Sequence, residues 1–190
     1  MSKYSFVLIL LVVVLAIAAG GCCLTAKTGD TSIQYDPPKR TIEEIWEIED
    51  QTDFVTAMLG HILEKCRYGD DMDKLSAPER VFFVTTLLEG EVNNGGFSQF
   101  FFNSSGDYAN ELVDAFTEIG AIKTAEICKK AVSVYGEYVP TGRAEREDLL
   151  LDNDAVEEIL DECDNAFYEY EDDLITLYCE YIVNHKEHFT

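Results

Sequence analysis

The chain has 190 residues, with 14 Lys and Arg against 37 Asp and Glu and a formal net charge of −23. A field of that sign repels nucleic acid and attracts basic surfaces, so direct binding to DNA or RNA is not expected. Hydrophobic residues make up 47% and aromatics 12%, enough to build one packed core, so the charge does not mark a disordered chain. Solubility alone is the competing use of that charge.

Met1 to Ser5 precede an apolar run from Phe6 to Ala19, followed by Gly20, Gly21, Cys22 and Cys23. The run suits the apolar core of a signal peptide and is short for a span of about 20 residues. Residues 1–24 are therefore expected to be a signal peptide or membrane anchor outside the fold. Small residues leading into a cysteine resemble a bacterial lipoprotein signal, in which the cysteine carries lipid after cleavage, and make Cys22 the lipidation candidate. Lys3 precedes the run while Lys27, Lys39 and Arg40 follow it, so counting cations does not decide orientation. The expectation is an exported lipoprotein on the extracytoplasmic side, membrane-associated through its N-terminus, with an uncleaved anchor facing the cytoplasm as the alternative. Residues 25–40, containing Gly29, Asp30, Pro37 and Pro38, have turn and tether chemistry and read as a linker.

From Thr41 the signals are helical. Thr41-Ile-Glu-Glu44 is a capping box, in which a hydroxyl and a carboxylate satisfy backbone N–H groups left free at a helix start. Phe54, Met58, Ile62 and Cys66 recur every four residues and predict a helix from about Asp53 to Arg67. Ser76-Ala-Pro-Glu79 is a second capping box, with Pro in the first turn, and opens a nearly all-apolar helix through Val81, Val84, Leu87, Leu88 and Val92. Residues 107–119 and 121–135 predict a helical pair divided at Gly120. After a loop through Gly136, Pro140 and Gly142, the spacing of Val156, Leu160, Cys163, Phe167, Tyr170, Leu174 and Leu177 predicts one long or two short closing helices. No segment alternates with period two, so the expected fold is all-α, a compact multi-helix bundle over residues 41–190.

The run Asn93-Asn94-Gly95-Gly96-Phe97-Ser98-Gln99-Phe100-Phe101-Phe102-Asn103 is the most distinctive stretch. Adjacent glycines permit left-handed backbone after a helix, Asn93 and Asn94 can cap its free carbonyls, and Phe97 and Phe100 can pin the next turn into the core. Gln99 and Asn103, one turn apart, can hydrogen-bond the turn or a partner. Glycines, amides and phenylalanines are what a buried tight turn needs, so this motif reads as mainly structural. It resembles the C-terminal domain family named after bacterial DNA-mimic proteins, whose members carry an N-N-G-G-F-x-Q-F-x-x-N signature. The resemblance extends over roughly residues 41–135, with Pro78-Glu79-Arg80 before the motif and Ile119-Gly120-Ala121 after it. It implies an all-helical fold, no catalytic hallmark, and acidic surface presented to proteins that otherwise grip DNA.

A mimic of nucleic acid needs carboxylates in rows on a rigid scaffold. Glu158, Glu162, Glu169, Asp173 and Glu180 are spaced so that they stay near one face if the helix runs on, with Glu157, Asp161 and Asp172 beside them. Positions four and seven apart lie about 6 and 10.5 Å apart along the axis, of the order of phosphate spacing. The plain alternative is a solvated helix face. Cys66, Cys128, Cys163 and Cys179 fall among apolar neighbours and read as buried free thiols. His185 and His188 lack a dependable third ligand, Asp70-Asp71-Met72-Asp73 and Asp152-Asn153-Asp154 lack the glycine and glutamate of an EF-hand, and no nucleophile or phosphate-cradling motif is present. No catalytic residue, metal or cofactor is therefore assigned. The expected role is a non-enzymatic interaction module for a basic protein, such as a DNA-binding protein or a toxin. The alternative is an envelope-associated lipoprotein or an immunity-type protein whose charge serves solubility or toxin neutralisation.

Overall fold

The computed structural model describes residues 40–151 and 153–190. The apolar run, Cys22 and the tether up to residue 39 lie outside the described residues. Among the described residues there are eight α-helices and no strand, as the periodicity predicts. No described helix is long and apolar enough to cross a membrane.

Both expected capping boxes form. In α1 (Ile42–Trp46) the Glu44 N–H donates to Thr41 Oγ1 and the Thr41 N–H to the Glu44 carboxylate. α2 (Gln51–Lys65) begins two residues earlier than its apolar spacing suggests, because the Asp50 carboxylate accepts the Asp53 N–H at 3.0 Å and so caps the start. It buries Phe54, Met58 and Ile62 with Val55, Leu59 and Leu63. It ends where Arg67, Tyr68 and Gly69 all take positive φ.

α3 (Ala77–Phe102) is the axis of the fold. At 26 residues it is about 39 Å long. It is apolar on most sides because α2, α4, α6, α7 and α8 all pack against it. Phe82, Phe83, Phe97, Phe100 and Phe101 are all buried on it. A short 3-10 stretch, Ser104–Glu111, leads into α4 (Leu112–Glu118), and Gly120, with φ +86, divides α4 from α5 (Ile122–Val132).

One element differs from the sequence expectation. α6 (Arg143–Leu150) occupies a segment that shows no apolar periodicity, because its one fully buried residue is Arg146. The closing segment takes the second of its two expected forms, two helices, α7 (Asp154–Tyr168) and α8 (Leu174–Asn184), separated where Tyr170 takes φ +48. All four cysteines of the fold are buried and free, and burial pushes the Cys163 and Cys179 thiols up to about 11, so they are protonated at neutral pH.

Candidate functional site

The double glycine breaks α3 in the middle of its buried length. Gly95 is extended, with φ −164, whereas Gly96 has φ +78 and ψ −179, a region essentially reserved for glycine. After this break the Phe97 N–H points out of the helical ladder and donates to Asp164 Oδ1 of α7 at 2.7 Å. A Cβ at Gly96 would stand 2.1 Å from the other oxygen of that carboxylate. Glycine is thus what lets α7 deliver a carboxylate to the start of the second half of α3. Burial raises the Asp164 pKa, and the bond from Phe97 lowers it in part.

The four amide side chains of the motif are all engaged within the fold. Asn93 donates to the Glu89 carbonyl at 2.9 Å, as a cap should, and also to the Tyr170 hydroxyl. Asn94 instead donates to Gln99 Oε1 at 2.9 Å. Gln99 and Asn103 share an acceptor that the sequence pattern does not single out, the buried carboxylate of Glu91. Gln99 Nε2 donates to it at 2.6 Å, Asn103 Nδ2 at 3.0 Å and the Ser105 hydroxyl at 2.8 Å. A carboxylate eight and twelve residues before two amide donors was the available signal.

A buried cation stands on the other side of Asn103. Arg146 donates through Nε to the Phe101 carbonyl at 2.9 Å, through Nη1 to the Pro140 and Thr141 carbonyls, and through Nη2 to the Asn103 carbonyl at 2.9 Å. It also pairs with Asp107 at 2.8 Å. A Cβ at position 106 would meet Arg146 Nε at 2.6 Å, so Gly106 is what admits the guanidinium. No sequence signal marks Arg146, since its partners are mostly carbonyls of other segments.

A second buried acid, Glu89, lies one turn before Asn93. It accepts the Tyr170 hydroxyl at 3.0 Å on Oε1, and the Tyr178 hydroxyl stands beside the carboxyl without a well-formed hydrogen bond to Oε2. Burial raises its pKa from 4.5 to about 7, against the pull of Tyr170 and Tyr178. Neither tyrosine ionises near neutrality, because burial and the Glu89 carboxyl hold both phenols well above their usual range.

The outer surface carries the negative charge. α7 is cleanly two-faced, with Val156, Leu160, Cys163 and Phe167 inward and Asp154, Glu157, Glu158, Asp161 and Glu162 exposed. These five carboxylates span about 12 Å of helix axis with no Lys or Arg in the helix. The five acids expected to form one row do not lie on one continuous helix, because the chain turns at Tyr170. Glu158 and Glu162 are on α7, Glu169 is its C-cap, and Asp173 and Glu180 belong to α8. Asp173 caps α8 by accepting from the Thr176 N–H and hydroxyl, and Glu162 pairs with Lys130 of α5 across the surface. Asp172 accepts the Thr124 N–H at 2.8 Å and so serves α5. Among the described residues, no His, Cys, Asp and Glu group is arranged to hold a metal ion.

A family model described as DMP19-like protein matches residues 73–185, which takes in α3 to α8, the double-glycine motif and the acidic closing helices. No curated protein and no solved structure matches the chain.

Proposed function

The chain belongs to the DMP19-like protein family, and from that premise we propose that it is an acidic binding module, not an enzyme. Its partner is a basic protein surface, such as that of a DNA-binding protein or a toxin. The observation that carries this reading is the outward face of α7, where five carboxylates are held on a helix whose opposite face is locked into the core. Glu158 and Glu162 belong to that face; Glu169 caps its end, and Asp173 and Glu180 stand on α8 beyond the turn at Tyr170. Rigid rows matter because a cation-rich surface built for phosphates gains most from charges already in place.

The N-terminal run bears on which partners are reachable. A lipid on Cys22 would place the module on the extracytoplasmic side, where a toxin is a reachable target; an uncleaved anchor facing inward would restore DNA-binding proteins. Mass spectrometry of the mature N-terminus distinguishes the two, since lipid on Cys22 and an intact Met1 exclude each other.

Charge-led binding weakens steeply as ionic strength rises. The full chain used as bait in extract of its source cell should retain a basic protein at low salt and release it at high salt. The variant Glu157→Gln/Glu158→Gln/Asp161→Gln should retain much less. Retention unaffected by salt and by the triple substitution would reject the acidic face as the binding surface.

A further inference from the structure

Beside the acidic face of α7 lies a groove of about 430 Å³ between the second half of α3, the end of α6 and the start of α7. Its walls are Phe102, Leu150, Val156 and Leu160, with Gln99 and Glu157 at the rim. Phe102 is 42% exposed although the two phenylalanines before it are fully buried, and Leu151, next to the groove wall in sequence, is 62% exposed. Val156 and Leu160 are buried, so Phe102 is the apolar wall that an entering side chain would meet first.

Charge decides which occupant. Glu157 lines the groove, Asp154 and Glu158 are exposed near it in the first turns of α7, and no Lys or Arg pairs with any of the three among the described residues. A second copy of the chain would bring the same charge to the same place, and an anionic lipid surface would be repelled in the same way. One internal contact shows what the rim accepts. The Arg143 guanidinium lies 4.8 Å from the centre of the Phe102 ring and is bonded to the Glu147 carboxylate. A cation over an aromatic face with a carboxylate behind it is a favourable arrangement at a surface.

We propose that this groove takes a bulky apolar side chain flanked by Lys or Arg on a basic protein segment, so that an apolar anchor and the carboxylates of α7 act on one partner. The proposal rests on the acidic-face reading and adds to it a second, salt-resistant component of binding. The groove is framed by the motif, because Gln99 is held at both ends, by Asn94 and by Glu91, and cannot swing in to fill it.

The test uses the full chain in a mild non-ionic detergent and two labelled peptides of equal charge, Lys-Arg-Phe-Arg-Lys and Lys-Arg-Ala-Arg-Lys, capped at both ends. The Phe peptide should bind about tenfold more tightly, the difference of about 1.4 kcal/mol expected for an anchored ring, and this preference should persist at high salt. Phe102→Ala, whose side chain is part-exposed and whose folding is checked by circular dichroism, should bring the two peptides together. Equal, salt-sensitive binding of both peptides to the unmodified chain would overturn the groove while leaving the acidic face standing. A preference that survives Phe102→Ala would also overturn it, as would a dimer that Phe102→Ala dissolves in sedimentation. Binding of neither peptide would overturn both readings.

Discussion

Replacing Glu89 by Gln should make the fold more stable at neutral and alkaline pH and should remove a specific part of its pH dependence. Glu89 is buried on the central helix, and the two neutral phenols that face it offset only part of the cost of a charge there. Its pKa is raised from 4.5 to about 7, so in the window between those values the folded chain holds a proton that the unfolded chain has lost. Stability from this group is therefore complete below about 4.5, falls as pH rises through the window, and is fully lost above about 7. A tenfold change in proton affinity is worth about 1.4 kcal/mol, so the rise from 4.5 to about 7 puts the loss at about 3 kcal/mol. Gln keeps an oxygen for the Tyr170 hydroxyl and carries no charge to bury. Urea denaturation of the wild-type chain and Glu89→Gln, followed by far-ultraviolet circular dichroism at about pH 4.5, 6 and 8, reads the difference directly. The two should be close at about pH 4.5, and the variant should be ahead by about 3 kcal/mol at about pH 8. A variant that is no more stable at alkaline pH, or that keeps the wild-type slope, would show that the Glu89 charge is compensated and would refute this account of the core.

Gly96→Ala should destabilise the fold by roughly 2–4 kcal/mol, combining a glycine-only backbone with displacement of the Asp164 carboxylate from the Phe97 N–H. Gly95→Ala should cost less, since its φ is open to any residue and the added Cβ displaces the Gln99 side chain at the cost of its bond from Asn94. Equal midpoints in thermal denaturation would remove the distinction between the two glycines. Glu91→Ala should cost roughly 2–3 kcal/mol, because it removes the shared acceptor of the buried Ser105 hydroxyl and of the half-buried Gln99 and Asn103 amides. If Glu91→Ala kept its midpoint in the same assay, the carboxylate would not be the hub of the turn.

The features legible in the sequence were those whose chemistry lies within about one helical turn. The two capping boxes each join residues three apart, and both formed as read. The four-residue spacing of Phe54, Met58 and Ile62, and the steps of four and seven from Val156 to Leu160 and Phe167, marked the inward faces and left the acids of α7 facing out. The double glycine announced a break in the chain, though only Gly96 needs the positive φ that both were expected to permit. Packing decided the rest, because the partners are far apart along the chain. Phe97 finds its acceptor 67 residues away, and Asn93 meets Tyr170 across 77. α6 escaped notice because a buried arginine bonded to distant carbonyls gives no apolar period to read. The division of the acidic row between α7 and α8 likewise follows from the left-handed turn at Tyr170, where the hydroxyl reaches Glu89 inside the core. Local hydrogen bonds and side-chain spacing repeat with the helix and so are written in sequence order, whereas an acceptor supplied by another helix exists only once the helices have packed.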